Sequence, residues 1–154
     1  MQHNIPCGDV ESILNSLSEA VFTIDMDRRI TSFNKAAELL TGYNRWEAMG
    51  RPCWEVVHTG ICKSACPYSQ ALASDGATPD SRTFLRNKAK REIPIRISTV
   101  LLYDDAGDPS GAVETIRDME ETEQLRRELA GTYSFRDMIG KSSAMRKLFD
   151  LLPR

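Results

Sequence analysis

The 154-residue sequence lacks a long apolar run, a cluster of basic residues and an N-terminal signal sequence. None of its apolar stretches approaches the roughly 20 residues that a membrane-spanning helix needs. Residues 1–4 carry neither the charged nor the apolar region of a signal peptide. The 20 basic and 22 acidic side chains nearly balance, which leaves no electrostatic footprint for nucleic acid or an anionic membrane. We therefore expect a cytoplasmic protein that binds neither DNA nor a membrane directly.

Sequence signatures of catalysis are also missing. Gly140-Lys141-Ser142 lacks the upstream glycine and the strand of a phosphate-binding loop, and no Ser, His and acid set has a recognisable local signature. Five aspartates fall in predicted turns, where carboxylates ordinarily bond backbone amides: Asp25, Asp27, Asp104, Asp105 and Asp108. We expect no enzyme activity from this chain.

The residues that are present predict one domain of mixed strands and helices. An apolar content of 41% is enough to bury a core. Two runs of strand-forming residues, 21–25 and 30–33, flank a polar turn that has no glycine. Asn34 can cap a helix that ends at Gly42, and Asn44 can cap a short helix through Met49. From residue 92 to 103 the pattern predicts a strand whose apolar face carries Ile93, Ile95, Ile97 and Leu101.

Three of the four cysteines lie in one short segment together with a histidine: Cys53, His58, Cys62 and Cys66. Pro67 suits the first turn of a helix, so Cys66 would lie at a helix N-terminus, where a thiolate is favoured. The spacing matches neither a paired zinc ribbon nor a ferredoxin run. Zinc, an iron–sulfur cluster, a redox thiol or disulfide, and inert buried thiols all remain open. Either His58 or Cys7 could be a fourth ligand.

The order of these features resembles a PAS domain over about residues 11–120. The resemblance is carried by Ile24-Asp25, Asn34, Ala36-Ala37, Leu40-Thr41-Gly42-Tyr43 and Gly50-Arg51, and then by residues 92–98, 104–107, 111–113 and 117–118. It implies an α+β fold in which short helices cover one face of a five-stranded antiparallel sheet. The five strands would be residues 20–25, 30–33, 81–85, 92–102 and 112–117. The cysteine segment would lie among the central helices over a ligand cavity.

The resemblance also implies a set of cavity walls, although these side chains could equally fill a solid core: Phe22, Ile24, Phe33, Leu40, Trp54, Val57, Ile95 and Ile97. Haem and flavin are cofactors of the family. The asparagine-cysteine-arginine-phenylalanine run of its flavin photosensors is absent, which makes flavin photochemistry an unfavoured reading. Haem is a weaker candidate than a metal at the cysteines, because His58 precedes the helix that usually carries the axial ligand.

Residues 119–133 are rich in helix formers and predict a linker helix. Thr122, Leu125 and Leu129 could begin a two-helix seam, although an exposed helix is nearly as good an interpretation. Residues 134–154 resemble the opening of the AAA+ ATPase domain of sigma-54-dependent transcriptional activators. We therefore divide the chain into a tail (1–10), a PAS domain (11–118), a linker helix (119–133) and a truncated AAA+ segment (134–154).

These resemblances imply the sensor domain of a bacterial sigma-54 activator. It would form a homodimer and respond to redox state, to a metal or cluster, or to a small ligand. Its output would be the downstream AAA+ domain of the same chain, which acts on sigma-54 RNA polymerase. The alternative is a PAS dimerisation and interaction module that binds no cofactor and whose cysteines are inert.

Overall fold

The structure, a computed structural model, describes the backbone of residues 7–74 and 76–140, and the side chains of residues 8–74 and 76–131. The chain divides into two compact units after Met119. Within the described residues, no helix combines the length and the apolar character that crossing a membrane requires. The elements, in chain order, are α1 (Cys7–Ser16), β1 (Ala20–Asp25), β2 (Ile30–Phe33), α2 (Lys35–Thr41), α3 (Arg45–Ala48), α4 (Cys53–Val56), β3 (His58–Thr59), α5 (Pro67–Ser74), β4 (Ala77–Arg86), β5 (Glu92–Tyr103), β6 (Pro109–Asp118) and α6 (Glu120–Gly140).

One antiparallel sheet organises the first unit, with strand order β2-β1-β6-β5-β4-β3. This confirms the predicted α+β fold, and all five predicted strands are present. The sheet has a sixth strand, β3, whose two residues pair with Arg86 and Leu85 of β4. Two residues are too few to show the alternation of a strand, so this strand could not be predicted from the sequence. β4 also begins earlier than predicted, at Ala77.

The apolar face of the sheet forms the core. On β5, Ile93, Ile95, Ile97 and Leu101 are buried as predicted, and they join residues from α2, α4 and α5 in one buried cluster. Alternation along a strand sends successive side chains to opposite faces, which explains why the residues between them are more exposed. Thr99 is the exception on the apolar face, because it is polar and fully buried.

The predicted caps and turns explain where the elements begin and end. The Asn34 side chain accepts a hydrogen bond from the Ala37 amide, and Gly42 ends α2 in the left-handed conformation, with φ of 78°. Asn44 forms a capping box with Glu47 at α3. In the β1–β2 turn, Asp25 Oδ1 accepts hydrogen bonds at 2.9 Å from two backbone amides, which is the turn role predicted for it.

Helices flank the predicted domain at both ends. Helix α1 begins at Cys7, so the predicted boundary between tail and domain falls inside a helix. The continuous helix α6 covers nearly all of the predicted linker and continues to Gly140. Residues 141–154, which hold most of the predicted AAA+ segment, lie outside the described residues.

Candidate functional site

A pocket of about 700 Å³ lies between the cysteine segment and the strands β4 and β5. The segment from Cys53 to Cys66 supplies one wall, and the other wall carries Thr83, Phe84, Arg86 and Glu92. Arg28 reaches the pocket from the β1–β2 turn. The volume falls within the range of small-molecule sites in proteins.

All four side chains predicted as metal ligands line this pocket: Cys53, His58, Cys62 and Cys66. Their exposure differs, because Cys53 is buried, Cys62 and Cys66 are half-buried, and His58 is exposed. The three thiols are free. Among the described residues, no three Cys, His, Asp or Glu side chains come close enough together to hold a metal ion. The fold therefore gathers the predicted residues around one cavity, but it does not arrange them as a coordination site.

The three thiols have different surroundings. The Cys62 Sγ lies 2.9 Å from the Thr59 hydroxyl and 3.6 Å from the Val57 carbonyl oxygen, to which it can donate. Cys66 directly precedes α5, as predicted, and its carbonyl accepts from the Gln70 amide. Burial raises the pKa of the Cys53 thiol far above its usual value, and the neighbouring Glu114 carboxyl raises it further. Cys53 therefore stays a protonated thiol, and Cys62 and Cys66 are the accessible sulfurs.

Arg28 is a pocket residue that sequence reasoning missed, because it lies in a run assigned only to a turn. It takes the left-handed conformation, with φ of 59°, which is uncommon for a residue other than glycine. Its amide donates to the Asp25 carbonyl and its own carbonyl accepts from the Cys53 amide at 2.8 Å. The guanidinium lies 4.4 Å from the centre of the Trp54 ring, and its Nη1 lies 4.0 Å from the Cys66 Sγ. These backbone hydrogen bonds hold the main chain of Arg28 in place, and its guanidinium lies along the pocket wall.

The predicted cofactor walls separate into two groups. Six of them belong to the buried core cluster: Phe22, Ile24, Phe33, Val57, Ile95 and Ile97. Leu40 packs against that cluster and is half-buried. Trp54 differs from the rest, since its side chain is 36% exposed and lines the pocket. Most of this set therefore fills a solid core, and Trp54 is the member placed to touch a ligand.

A buried polar row crosses the core face of the sheet, and sequence reasoning also missed it. Thr78, Thr99 and Glu114 lie directly opposite one another on β4, β5 and β6, and none is more than 6% exposed. Burial raises the pKa of the Glu114 carboxyl to about 7, and the nearby Thr99 hydroxyl offsets part of this rise. Neither threonine hydroxyl reaches hydrogen-bonding geometry with a partner. The only available signal was a polar residue on the apolar face of a predicted strand.

The fold and the pocket together define a small α+β sensor-type domain with one antiparallel sheet. A family model described as "PAS fold" matches residues 14–124, and the chain belongs to this family. It is therefore a PAS sensor domain. The chain is 28% identical over 121 residues to a probable diguanylate cyclase, DgcE, from Escherichia coli (strain K12). That match covers 76% of this chain, but this chain spans only 11% of the length of that relative.

Solved structures show the same fold. The PAS domain of a protein from Colwellia psychrerythraea superposes with a TM-score of 0.67 at 21% identity, over 74% of this chain and 97% of that one. The PAS domain of nitrogen regulation protein NR(II) from Vibrio parahaemolyticus gives a TM-score of 0.58 at 17% identity, over 71% and 96% of the two chains. At these identities the likeness establishes the shared fold.

Proposed function

We propose that this PAS domain receives its signal in the cysteine-lined pocket. The observation that carries the proposal is that Cys53, His58, Cys62 and Cys66, which extend over 14 positions of sequence, line one cavity of small-molecule size together with Arg28 and Trp54. A segment with only structural thiols has no need to expose two of them to the same cavity. The signal would be a small ligand or a change in the oxidation state of Cys62 and Cys66.

A metal or cluster is the alternative stimulus at this site. Zinc and iron–sulfur clusters take thiolate and imidazole donors, which these residues could offer. Among the described residues, the Cys, His, Asp and Glu side chains do not come close enough together to coordinate a metal ion. Metal binding would therefore require the cysteine segment to rearrange. The side chain of Cys7, the other predicted fourth ligand, lies outside the described residues. His58 lines the pocket and could approach a haem iron, although it is exposed.

The signal would leave the domain through β6. This strand ends at Asp118, and only Met119 separates it from α6. Met119 is buried, and its amide donates to the Pro94 carbonyl of β5 at 2.8 Å. Because β5 also carries Glu92 in the pocket wall, a ligand that favours one position of this strand would bias the start of the linker.

We further propose that the full-length protein is a cytoplasmic sigma-54-dependent transcriptional activator. The support is the resemblance of residues 134–154 to the opening of its AAA+ domain. In this proposal the chain forms a homodimer, the downstream AAA+ domain hydrolyses ATP, and the full-length protein acts on sigma-54 RNA polymerase. This chain contributes sensing and no catalysis.

Replacement of the accessible thiols tests the proposal. In the full-length protein, Cys62→Ser with Cys66→Ser should alter the response of the output to its stimulus. Ser64→Ala lies in the same loop and is a matched control, because it changes the loop without touching a thiol. An unchanged response in the cysteine variant would favour the alternative, in which the domain is a dimerisation module with inert cysteines.

The absorption spectrum and metal content of protein purified without oxygen identify the kind of stimulus. Charge-transfer bands in the visible region would indicate an iron–sulfur cluster, a Soret band would indicate haem, and zinc would appear only in the metal analysis. A colourless sample free of metal would support the ligand or thiol signal that we favour. Both the absorption spectrum and the metal content can be measured on the isolated chain.

A further inference from the structure

The charges around the pocket are unequal. Three cations line it, Arg28, Lys63 and Arg86, with Glu92 as the one carboxylate of the described lining. Glu92 is bound to Arg86 at 2.8 Å, so it does not neutralise the other two cations. Within the described residues, neither Arg28 nor Lys63 lies at ion-pair distance from a carboxylate. The whole chain has a formal charge of −2, so this positive excess is local to the pocket.

Arg28 is the cation best placed to meet a ligand. It is half-buried, whereas Lys63 and Arg86 are exposed, and Arg86 already has an acidic partner. A guanidinium that is partly removed from water without a counterion is costly, and an anion that enters the pocket would relieve that cost. Guanidinium also presents a planar fork of donors that fits a carboxylate bidentately.

The apolar part of the pocket is aromatic. Trp54 lies on the α4 side and Phe84 on the β4 side, and both rings retain substantial exposure, 36% and 58%. Exposed aromatic side chains in the lining of a cavity offer apolar surface to a ligand. Arg28 lies over the face of Trp54, which places the positive charge directly beside one of these surfaces.

We propose that the pocket binds a small organic anion, an aromatic or similarly apolar body that carries a carboxylate, with Arg28 as its principal charge partner. The inference rests on the proposed function, because it names the chemical class of the signal that enters the same pocket. The carboxylate would lie against the Arg28 guanidinium, and the apolar body would pack against Trp54.

Three probes of the same size and different charge test this inference: benzoate, benzamide and benzamidinium. The chain has two tryptophans, and Trp46 is 85% exposed and lies outside the pocket lining, so Trp46→Phe leaves Trp54 as the sole tryptophan reporter. We expect benzoate to change Trp54 fluorescence at the lowest concentration, with benzamide weaker by about tenfold or more and benzamidinium weaker still. Added salt should weaken the binding of benzoate and leave the binding of benzamide unchanged.

Removal of the guanidinium charge is the second arm. In the Trp46→Phe background, Arg28→Gln should lower the affinity for benzoate by about tenfold while the affinity for benzamide stays the same. Arg82→Gln removes an exposed charge from β4 outside the pocket lining and should have no effect on either probe. Because Arg28 occupies a strained turn, thermal unfolding must show that the variant folds, and Lys63→Gln gives an independent variant with a smaller expected loss of benzoate affinity.

The inference is wrong if the three probes bind equally, if none binds, or if benzoate binding survives the loss of both Arg28 and Lys63 charges. Those results would leave the proposed function standing, since the cysteine variants are read from the output of the full-length protein without any probe. Conversely, benzoate binding that depends on Arg28, together with an unchanged response of the cysteine variants, would support the anion pocket and reject the thiols as signal receivers.

Discussion

Glu114 is a carboxyl group in an apolar core, without a cationic partner among the described residues. Burial raises its pKa from 4.5 to about 7, so the native state holds a proton that the unfolded chain releases above pH 4.5. Between pH 4.5 and about 7 the native state therefore binds more protons than the unfolded state. By linkage, the free energy of unfolding falls as the pH rises through this window, by up to roughly 3 kcal/mol.

Glu114→Gln should remove this pH dependence, because the amide has nearly the same shape and no charge to desolvate. Relative to the wild type, the variant should become more stable as the pH rises from 4.5 to about 7, with little further change above that. Urea unfolding across this range gives the comparison. Asp105→Asn makes the same chemical change at an exposed turn residue and should show no such trend. If the difference in free energy of unfolding between Glu114→Gln and the wild type does not change with pH, this prediction is wrong.

Gly111 is required for a close approach between two strands. A Cβ at this position would collide with the backbone carbonyl oxygen of Ile24 on β1, and backbone atoms cannot move aside without disturbing the β1–β6 pairing. Gly111→Ala should therefore lower the free energy of unfolding by about 2 to 3 kcal/mol. Gly76→Ala is the matched control, since its Cβ would meet nothing within 4 Å. Equal urea midpoints for the two variants would argue against the collision.

At the scale of elements, the Asn34 side chain joins α1, β1 and α2. Its Oδ1 accepts from the Ala37 amide at 2.9 Å and from the Val21 amide at 3.0 Å. Its Nδ2 donates to the Leu14 carbonyl at 2.8 Å and to the Glu19 carbonyl at 3.0 Å. The residue is only 3% exposed, so water cannot replace these partners without opening the structure.

Asn34→Ala should lower the free energy of unfolding by about 3 kcal/mol, because it removes a helix cap and leaves buried backbone groups unpaired. Asn44→Ala removes an exposed cap at α3 and should cost only about 1 kcal/mol. Asn34→Asp keeps the acceptor but loses the two donated bonds, so hydrogen exchange should increase near Leu14 while α2 stays protected. Equal losses for the Asn34→Ala and Asn44→Ala variants would show that the links to α1 and β1 contribute nothing.

The elements that could be predicted from the sequence are those whose determinants lie within the same short stretch of chain. The helix caps made by Asn34, Gly42 and Asn44 join each residue to a backbone group only three or four positions away, and the alternation along β5 is a property of that strand alone. The left-handed Arg28 gave no such signal, because the turn is stabilised by Asp25 and by the bond from Cys53 to the Arg28 carbonyl. Strand β3 is recognised only by its pairing with β4, and its two residues carry no pattern of their own.

At the scale of the whole molecule, only half of the pocket could be predicted. The segment from Cys53 to Cys66 is contiguous, so its clustered donors are visible in the sequence. The opposite wall is built from Phe84 and Arg86 on β4 and Glu92 on β5, which reach the pocket only through the strand pairing. Their sequence context is that of ordinary strand residues, and their role follows from the register.

Two exposed apolar surfaces bear on the homodimer that we propose. In the first unit, α1 exposes Val10 and Ile13 at 42% and 54%, and Leu17, which directly follows the helix, is 43% exposed. In the second unit, α6 exposes Leu125 and Leu129 at 53% and 58%, on the face predicted to begin a two-helix seam. Exposed apolar side chains in such rows commonly mark surfaces that another chain covers.

Truncation after Met119 distinguishes these two surfaces. The unit before this position contains the whole sheet and its helices, so the shortened chain should still fold and unfold cooperatively in urea. If α6 provides the dimer contact, sedimentation should show the 154-residue chain as a dimer and the truncated chain as a monomer. Leu125→Ser with Leu129→Ser in the full chain should give the same monomer without removing the helix. A truncated chain that remains dimeric would instead assign the dimer contact to the first unit, and Ile13→Ser should then dissociate the dimer. A full chain that is monomeric at all concentrations would reject the homodimer.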